Sequence, residues 1–204
     1  MKPLKSAGDF KQVPEGPHPA VLYSLIDMGT QEGGTYQGKP VKPKRKIAMR
    51  FELHSEDTRM DDNRPMSIGK TFTLSSSAKG NLRPFMEGWR GKAFSDDEFE
   101  AFDLRNMLGK PAILTVVEDG EYRVINNISR LMTGMTAPTQ HNPSLYLSLE
   151  PGEYDPLVFD MLSDKMKDTI RQSPEWKALN GQLPASDAPV AKADDYGFDS
   201  EIPF

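Results

Sequence analysis

Strict alternation of apolar and polar residues over positions 46–54 predicts a half-buried β-strand. One predicted face carries Ile47, Met49, Phe51 and Leu53, and the opposite face carries Lys46, Ala48, Arg50, Glu52 and His54. Weaker patterns of the same kind predict further strands over residues 20–28, 66–74, 111–118 and 122–131. The dipeptide Asp119-Gly120 lies between the last two and predicts a tight turn, so these two strands should form a hairpin.

Helix signals fill the interval between the third and fourth predicted strands. Three serines at positions 75–77 can cap a helix over residues 78–89. Gly91 is placed to end this helix, and Pro84 would kink it. Ser95 is followed at once by acidic residues and predicts a second helical segment, because acids in a first turn suit the helix dipole.

The resulting order is three strands, a helical insert and two strands. This is the element order of a five-stranded OB-fold barrel with a helical insert between strands 3 and 4, although small SH3-like barrels also use five strands. Basic residues between the first two strands and along strands two and three favour the OB-fold, which binds ligands there. We therefore predict a mainly β chain with a flexible N-terminal arm (1–17), an OB-fold nucleic-acid-binding domain (18–132), an extension (133–182) and a flexible acidic tail (183–204).

The composition changes after residue 132. Four prolines with Gly, Thr and Asn lie between residues 133 and 156, which predicts an irregular backbone. Residues 157–180 have apolar side chains at helical spacing, which predicts an amphipathic helix that packs on the barrel, with a homodimer surface as the alternative. From Leu183 the chain is rich in Pro, Ala, Ser and Asp, which predicts a disordered acidic tail.

Composition excludes several classes of protein. The chain of 204 residues has no cysteine, so a disulfide framework, a thiolate zinc site and a cysteine nucleophile are impossible. No run approaches the roughly 18 apolar residues of a membrane-spanning helix. The N-terminus also lacks the apolar stretch of a signal peptide. We expect a cytoplasmic protein with no membrane partner.

The net charge of −5 hides an uneven distribution. Residues 39–92 contain 13 Lys and Arg against 6 Asp and Glu, a local net charge of +7. Residues 185–204 contain 5 acids and one lysine, a local net charge of −4. A basic centre and an acidic end are typical of a nucleic-acid-binding protein with an interaction tail.

The last segment of the sequence, residues 194–204, alternates acids with aromatic rings and ends in Ile-Pro-Phe. Pro203 favours extended conformations of Ile202, which reduces the entropy lost on docking. Phe204 combines an apolar ring with the terminal carboxylate, which a basic pocket can clamp. This ending resembles the acidic tail of bacterial and phage single-stranded DNA-binding proteins, although Asp199-Ser200-Glu201 stands where that family usually has a purer aspartate run.

The resemblance implies a protein that coats and protects single-stranded DNA in phage replication, recombination or repair. A phage-encoded protein of this kind would act in the cytoplasm of a bacterial host cell. The resemblance also implies that the acidic segment recruits replication and repair proteins. The partner-binding residues are then Asp194, Asp195, Asp199, Glu201, Ile202, Pro203 and Phe204.

Binding of single strands without sequence preference needs cations along the backbone path and planar rings on which bases stack. The candidate cations are Lys42, Lys44, Arg45, Lys46, Arg50, Lys70 and Arg123, and the candidate rings are Tyr36, Phe72 and Tyr122. Tyr36 lies in an open glycine-rich loop, where a large ring needs a partner to cover it. A core role is an equal alternative for Phe72, and hairpin packing is the alternative for Tyr122. We expect replacement of residues 44–46 by alanine to weaken single-strand binding and to leave the fold intact.

The sequence contains no convincing active site. One loop cluster could hold Mg²⁺ in a metal nuclease, and its members are His54, Glu56, Asp57, Asp61 and Asp62. Two arginines interrupt this loop, so solvated surface acids are the better interpretation. Neither a phosphate-binding P-loop nor a Gly-x-Ser-x-Gly elbow occurs. We predict no enzyme, no metal and no cofactor. Single-stranded DNA is the expected partner, with RNA as the second candidate, and a protein-interaction adaptor on the same barrel is the alternative function.

Overall fold

The computed structural model describes residues 11–36 and 38–181. The side chain of Tyr36 and the predicted partner-binding residues 194–204 lie outside the described residues, as does most of the predicted arm. Within the described part the chain is mainly β. Its strands are β1 (Gly16–Gln31), β2 (Thr35–Tyr36), β3 (Lys39–Pro40), β4 (Lys44–Leu53), β5 (Ser67–Thr73), β6 (Pro111–Asp119), β7 (Tyr122–Ser129) and β8 (Leu145–Leu147). Its α-helices are α1 (Leu82–Arg90), α2 (Asp96–Glu100), α3 (Pro156–Asp160), α4 (Asp164–Gln172) and α5 (Pro174–Leu179), with a 3-10 helix at Leu104–Met107.

β1 is the middle one of the five strands that lie side by side in the sheet, and it also pairs with β8. It is antiparallel to β4 over residues 20–31 and to β6 over residues 16–21, and β8 runs parallel to it over residues 24–26. The strand order is β5-β4-β1-β6-β7. In the described chain β5 and β7 do not pair, so the sheet is not closed. The predicted mainly β class and the helical insert are confirmed, whereas a closed barrel is not shown.

The alternation in β4 buries one face of the strand as predicted. The buried residues of this face are Ile47, Met49, Phe51 and Leu53. Helix α1 covers this face, and its Trp89 ring lies 5.4 Å from the ring of Phe51. Trp89 also donates its indole N–H to the carbonyl of Pro111 at the start of β6. The helical insert therefore closes one side of the main core.

Helix α1 begins later than the sequence predicted. A helix from residue 78 would place Pro84 in its interior, where the missing N–H and the ring disrupt helical hydrogen bonding. The helix instead begins at Leu82, after Asn81. Pro84 then lies in the first turn, whose N–H groups have no intrahelical acceptor in any helix. Gly91 ends the helix in the left-handed conformation, with φ 72°, as the sequence indicated.

The outward face of β1 and β4 carries a second core, which the C-terminal extension completes. The sheet contributes Ile26, Met28 and Ala48, and the extension contributes Leu147, Leu149, Phe159, Leu162, Met166 and Ile170. Strand β8 lies in the segment predicted to be irregular, and it adds Leu147 to this core. The extension thus packs on its own sheet, so the middle of β1 is covered on both faces.

The extension contains three short helices where the sequence predicted one over residues 157–180. Ser163 and Ser173 each precede a helix and accept a hydrogen bond from the backbone N–H three residues later. Pro174 occupies the first position of α5, where its missing N–H costs nothing. Pro174 thus accounts for the break between α4 and α5, and Ser163 marks the break between α3 and α4.

A buried carboxylate holds the extension where it first crosses the sheet. Glu52 on β4 is fully buried and accepts hydrogen bonds from the backbone N–H groups of His141 (2.6 Å) and Asn142 (2.8 Å). The Asn142 side chain donates to it as well, and His54 Nε2 lies 2.9 Å from it. Burial acts to raise the pKa of Glu52, but these hydrogen bonds outweigh it and lower the pKa below its ordinary range. The stabilisation is therefore present at neutral pH and is lost as the pH falls through the lowered pKa.

Candidate nucleic-acid interface

The extension covers only part of the outward face of β4 and β5. Four cross-strand pairs form this face: Lys46–Thr73, Ala48–Thr71, Arg50–Gly69 and Glu52–Ser67. Ala48 and Glu52 are buried, whereas the other positions are half-buried or exposed. We call Lys46, Arg50, Gly69, Thr71 and Thr73 the open strip.

The open strip and the segment before β4 carry positive charge that no ion pair within residues 11–36 and 38–181 neutralises. Lys42 and Arg50 are exposed, and Lys44 and Lys46 are half-buried. None of the four forms an ion pair with another described residue. The neighbouring acid, Glu52, is buried and already bonded to the extension. These four predicted cations therefore remain available to phosphate groups.

Arg45 differs from the other cations of the basic segment because it is engaged within the protein. Its guanidinium pairs with the buried Asp27, and one of its nitrogens lies 2.5 Å from a carboxylate oxygen of Glu150. Asp27 also accepts hydrogen bonds from the backbone N–H groups of Gly29 and Leu149. Burial acts to lower the pKa of Arg45, but the two carboxylates outweigh it and raise the pKa above its ordinary value. Arg45 therefore holds the extension against β1 and β4.

Phe72 and Lys70 share one face of β5, as predicted, but this face is the inner one. Phe72 pairs across the sheet with Ile47, is 1% exposed and lies 4.7 Å, ring to ring, from Phe85. The predicted stacking role of Phe72 is therefore wrong, and its alternative as a core residue is confirmed. Lys70 extends from the same face, and its amine donates to the carbonyl of Ile125 on β7 at 2.8 Å. Lys70 is thus not part of the open strip.

The β6–β7 hairpin presents the other described candidates. Tyr122 is 48% exposed beside the turn at Gly120, so its ring is accessible. Arg123 Nη1 lies 2.8 Å from Glu118 Oε2, and this acid partly neutralises the arginine. These residues and Gln12 line a shallow cleft.

Tyr36 lies in the connection between β1 and β4. The backbone there forms the small hairpin of β2 and β3, in which Tyr36 pairs with Lys39. Gly33 begins this connection and packs so closely that a Cβ on it would lie 2.3 Å from the Val41 carbonyl oxygen. Glycine is therefore required at position 33 to form the loop. The two candidate rings that remain belong to different hairpins, Tyr36 to β2–β3 and Tyr122 to β6–β7.

Sequence reasoning missed two features of this site. The first is Gly69, which stands at an exposed, outward position of β5. A glycine inside a predicted strand was the sequence signal that could have identified it. The second feature is the cover over Ala48 and Glu52. No local signal predicts it, because it depends on contacts with residues about 90 positions further along the chain.

The remaining observations concern other functional classes. In the part of the chain that the structure describes, no group of three or more metal-ligating side chains could hold a metal ion. Asp62, in the acidic loop, pairs with Arg64 at 2.6 Å. Over the same residues no helix has the length and apolar character needed to cross a membrane. No protein-family model matches the chain, and no curated protein matches it. We therefore infer function from the geometry and charge of the surface.

Arg45→Ala should destabilise the protein, contrary to the expectation that residues 44–46 can be replaced without effect on the fold. The substitution leaves the buried Asp27 without its charged donor, and we expect the free energy of unfolding to fall by about 1–3 kcal/mol. Lys42→Ala is the matched control because Lys42 is exposed and forms no ion pair with another described residue. Chemical denaturation of both variants measures the difference. Equal stability of the two variants would show that Arg45 does not hold the extension.

Proposed function

We propose that this protein binds single-stranded DNA without sequence preference and coats it during phage replication, recombination or repair. The observation that carries the proposal is the set of four cations in and beside the open strip, Lys42, Lys44, Lys46 and Arg50. None of them forms an ion pair with another described residue. Nonspecific single-strand binding requires such a line of cations along the phosphate path. RNA offers the same phosphate charges and is the second candidate ligand.

We also propose that the sheet is an OB-fold. Three features support this assignment: β1 pairs with both β4 and β6, the helical insert lies between β5 and β6, and Lys70 bridges the gap between β5 and β7. In an OB-fold, oligonucleotides bind across strands two and three and the loops beside them. Here the corresponding strands are β4 and β5, which contain the open strip. The proposed fold and the proposed ligand path thus agree.

The proposed function has a second part, recruitment of replication and repair proteins by residues 194–204. Its support is the acidic sequence ending in Ile-Pro-Phe and its resemblance to the tails of single-stranded DNA-binding proteins. The acids provide long-range attraction to a basic partner. The Phe204 ring fills an apolar pocket and provides specificity.

Fluorescence anisotropy with labelled oligo(dT) at several salt concentrations tests the proposed DNA binding. The logarithm of the binding constant should fall with the logarithm of salt by about 0.7 per phosphate contact. Lys46→Ala should reduce this slope by about 0.7, because one contact is lost. Lys177→Ala removes the same charge from helix α5 and should leave the slope unchanged.

Two results would contradict the proposal. Absence of binding by the wild-type protein would favour the adaptor function, in which the basic surface contacts acidic proteins. A slope near zero would show that phosphate neutralisation does not drive binding.

Deletion of residues 194–204 should tighten oligo(dT) binding a few-fold at low salt, because a tethered acidic segment competes for the same cations. Screening should remove this difference at high salt. Phe204→Ala keeps the acids, so it should retain the competition but lose binding of replication proteins to the immobilised tail peptide. Tyr196→Ala is the matched control for loss of a ring. Full partner binding by the Phe204→Ala peptide would contradict this role of Phe204. Residues 194–204 would then resemble the tails of single-stranded DNA-binding proteins in composition alone.

A further inference from the structure

The open strip has no aromatic side chain. The two phenylalanines of β4 and β5, Phe51 and Phe72, both point into the main core. Bases of a strand lying on this face therefore find no ring among the strip residues. The planar group that the strip does offer is the guanidinium of Arg50, and guanidinium planes can stack on bases as well as contact phosphates.

Arg50 lies across Gly69 on the neighbouring strand. The two residues pair directly, and a Cβ on Gly69 would lie 3.3 Å from Arg50 Cγ and 4.0 Å from Arg50 Nε. The arginine side chain thus occupies the space that a side chain on β5 would take. On its other side, Arg50 pairs with Ser24 of β1, which is 2% exposed. Because Ser24 is buried, the side chain of Arg50 extends over β5 instead of β1.

The absence of a side chain at position 69 leaves room for this arrangement. A Cβ at position 69 would also lie 3.3 Å from the carbonyl oxygen of Met49, so it would be crowded on two sides. Glycine inside a strand is less stable than alanine would be there, because glycine loses more backbone freedom on folding. Strand glycines commonly mark a place where a ligand or a backbone approaches closely. Gly69 therefore makes β5 less stable at this position, and the aliphatic part of Arg50 lies against the backbone of Gly69.

Arg50 is also unengaged by the other described residues. It is exposed, and it has no hydrogen-bond or ion-pair partner among residues 11–36 and 38–181. Arg45, by contrast, is fixed by Asp27 and Glu150. Arg50 can therefore present an open guanidinium face to a ligand while its stem is supported by the sheet.

We propose that Arg50, laid across Gly69, is a stacking platform for one base of the bound single strand. This inference rests on the proposed function and extends it from phosphate neutralisation to base contact on the open strip. The expected division is that Lys46 contacts phosphate, whereas Arg50 contacts the flat face of a base. Stacking is tolerant of sequence because every base has a flat face.

Arg50→Lys separates the two roles, because lysine keeps the charge and loses the plane. The probes are oligo(dT) and an abasic oligonucleotide of equal length and charge, both measured by anisotropy. Arg50→Lys should weaken oligo(dT) binding by about 5- to 100-fold, as expected for loss of one stacked base. Its affinity for the abasic strand should equal that of the wild-type protein. Arg171→Lys is the matched control, because it makes the same exchange at an exposed arginine of helix α4, outside the open strip, and it should bind both strands like wild type.

Gly69→Val provides an independent test, since it displaces the Arg50 stem while retaining every charge. It should lower oligo(dT) affinity and spare abasic binding, with circular dichroism confirming the fold. Equal losses on the two strands, or wild-type affinity of Arg50→Lys for oligo(dT), would overturn the stacking role and make Arg50 a charge contact. Failure of the wild-type protein to bind either strand is a separate result. It would overturn the proposed function and the stacking role with it.

Discussion

The exposed surface depends on the contacts that buried Asp27 makes with Arg45 and with the extension. A buried carboxylate is stable only when charged or polar donors surround it. Arg45 and the backbone N–H groups of Gly29 and Leu149 provide those donors, and Leu149 belongs to the extension. The extension therefore cannot leave the sheet without exposing this group or leaving it unpaired. Glu52 imposes the same constraint nearer the other end of β4.

This attachment divides the outward face of the sheet into a covered half and an open half. Apolar residues of the extension cover β1 and Ala48, and the open strip remains on β4 and β5. The division also separates similar cations by role, because Arg45 pairs with Asp27 and Glu150, whereas Lys46 and Arg50 form no ion pair with an acid in the described part of the chain. A ligand with phosphate charges would meet a narrow basic path bordered by the extension. This geometry favours a single strand lying along the open strip.

Much of the fold follows from local sequence signals. The alternation in β4 identified its core face, and the capping box of Ser95 with Glu98 fixed the start of α2. Alternation divides a strand into two faces but does not say which one is buried, so Phe72 could not be assigned from its own strand. Its partner Ile47 decides the matter, because paired residues share a face.

The site was less predictable because it depends on distant contacts. Nothing in the run 44–46 distinguishes Arg45 from its neighbours. Its partners Asp27 and Glu150 lie 18 and 105 positions away. The cover over Glu52 likewise comes from residues about 90 positions later. A local pattern gives the charge of a segment, but tertiary packing decides which of those charges remain free.

Hydrogen–deuterium exchange with and without oligo(dT) tests most directly whether the open strip is the ligand path. We expect slower exchange in peptides covering residues 44–50 and 67–73 when DNA is bound. Exchange across residues 156–179, which form the helices of the extension, should stay unchanged. Protection confined to residues 156–179, with none in β4 or β5, would contradict a ligand path along the open strip.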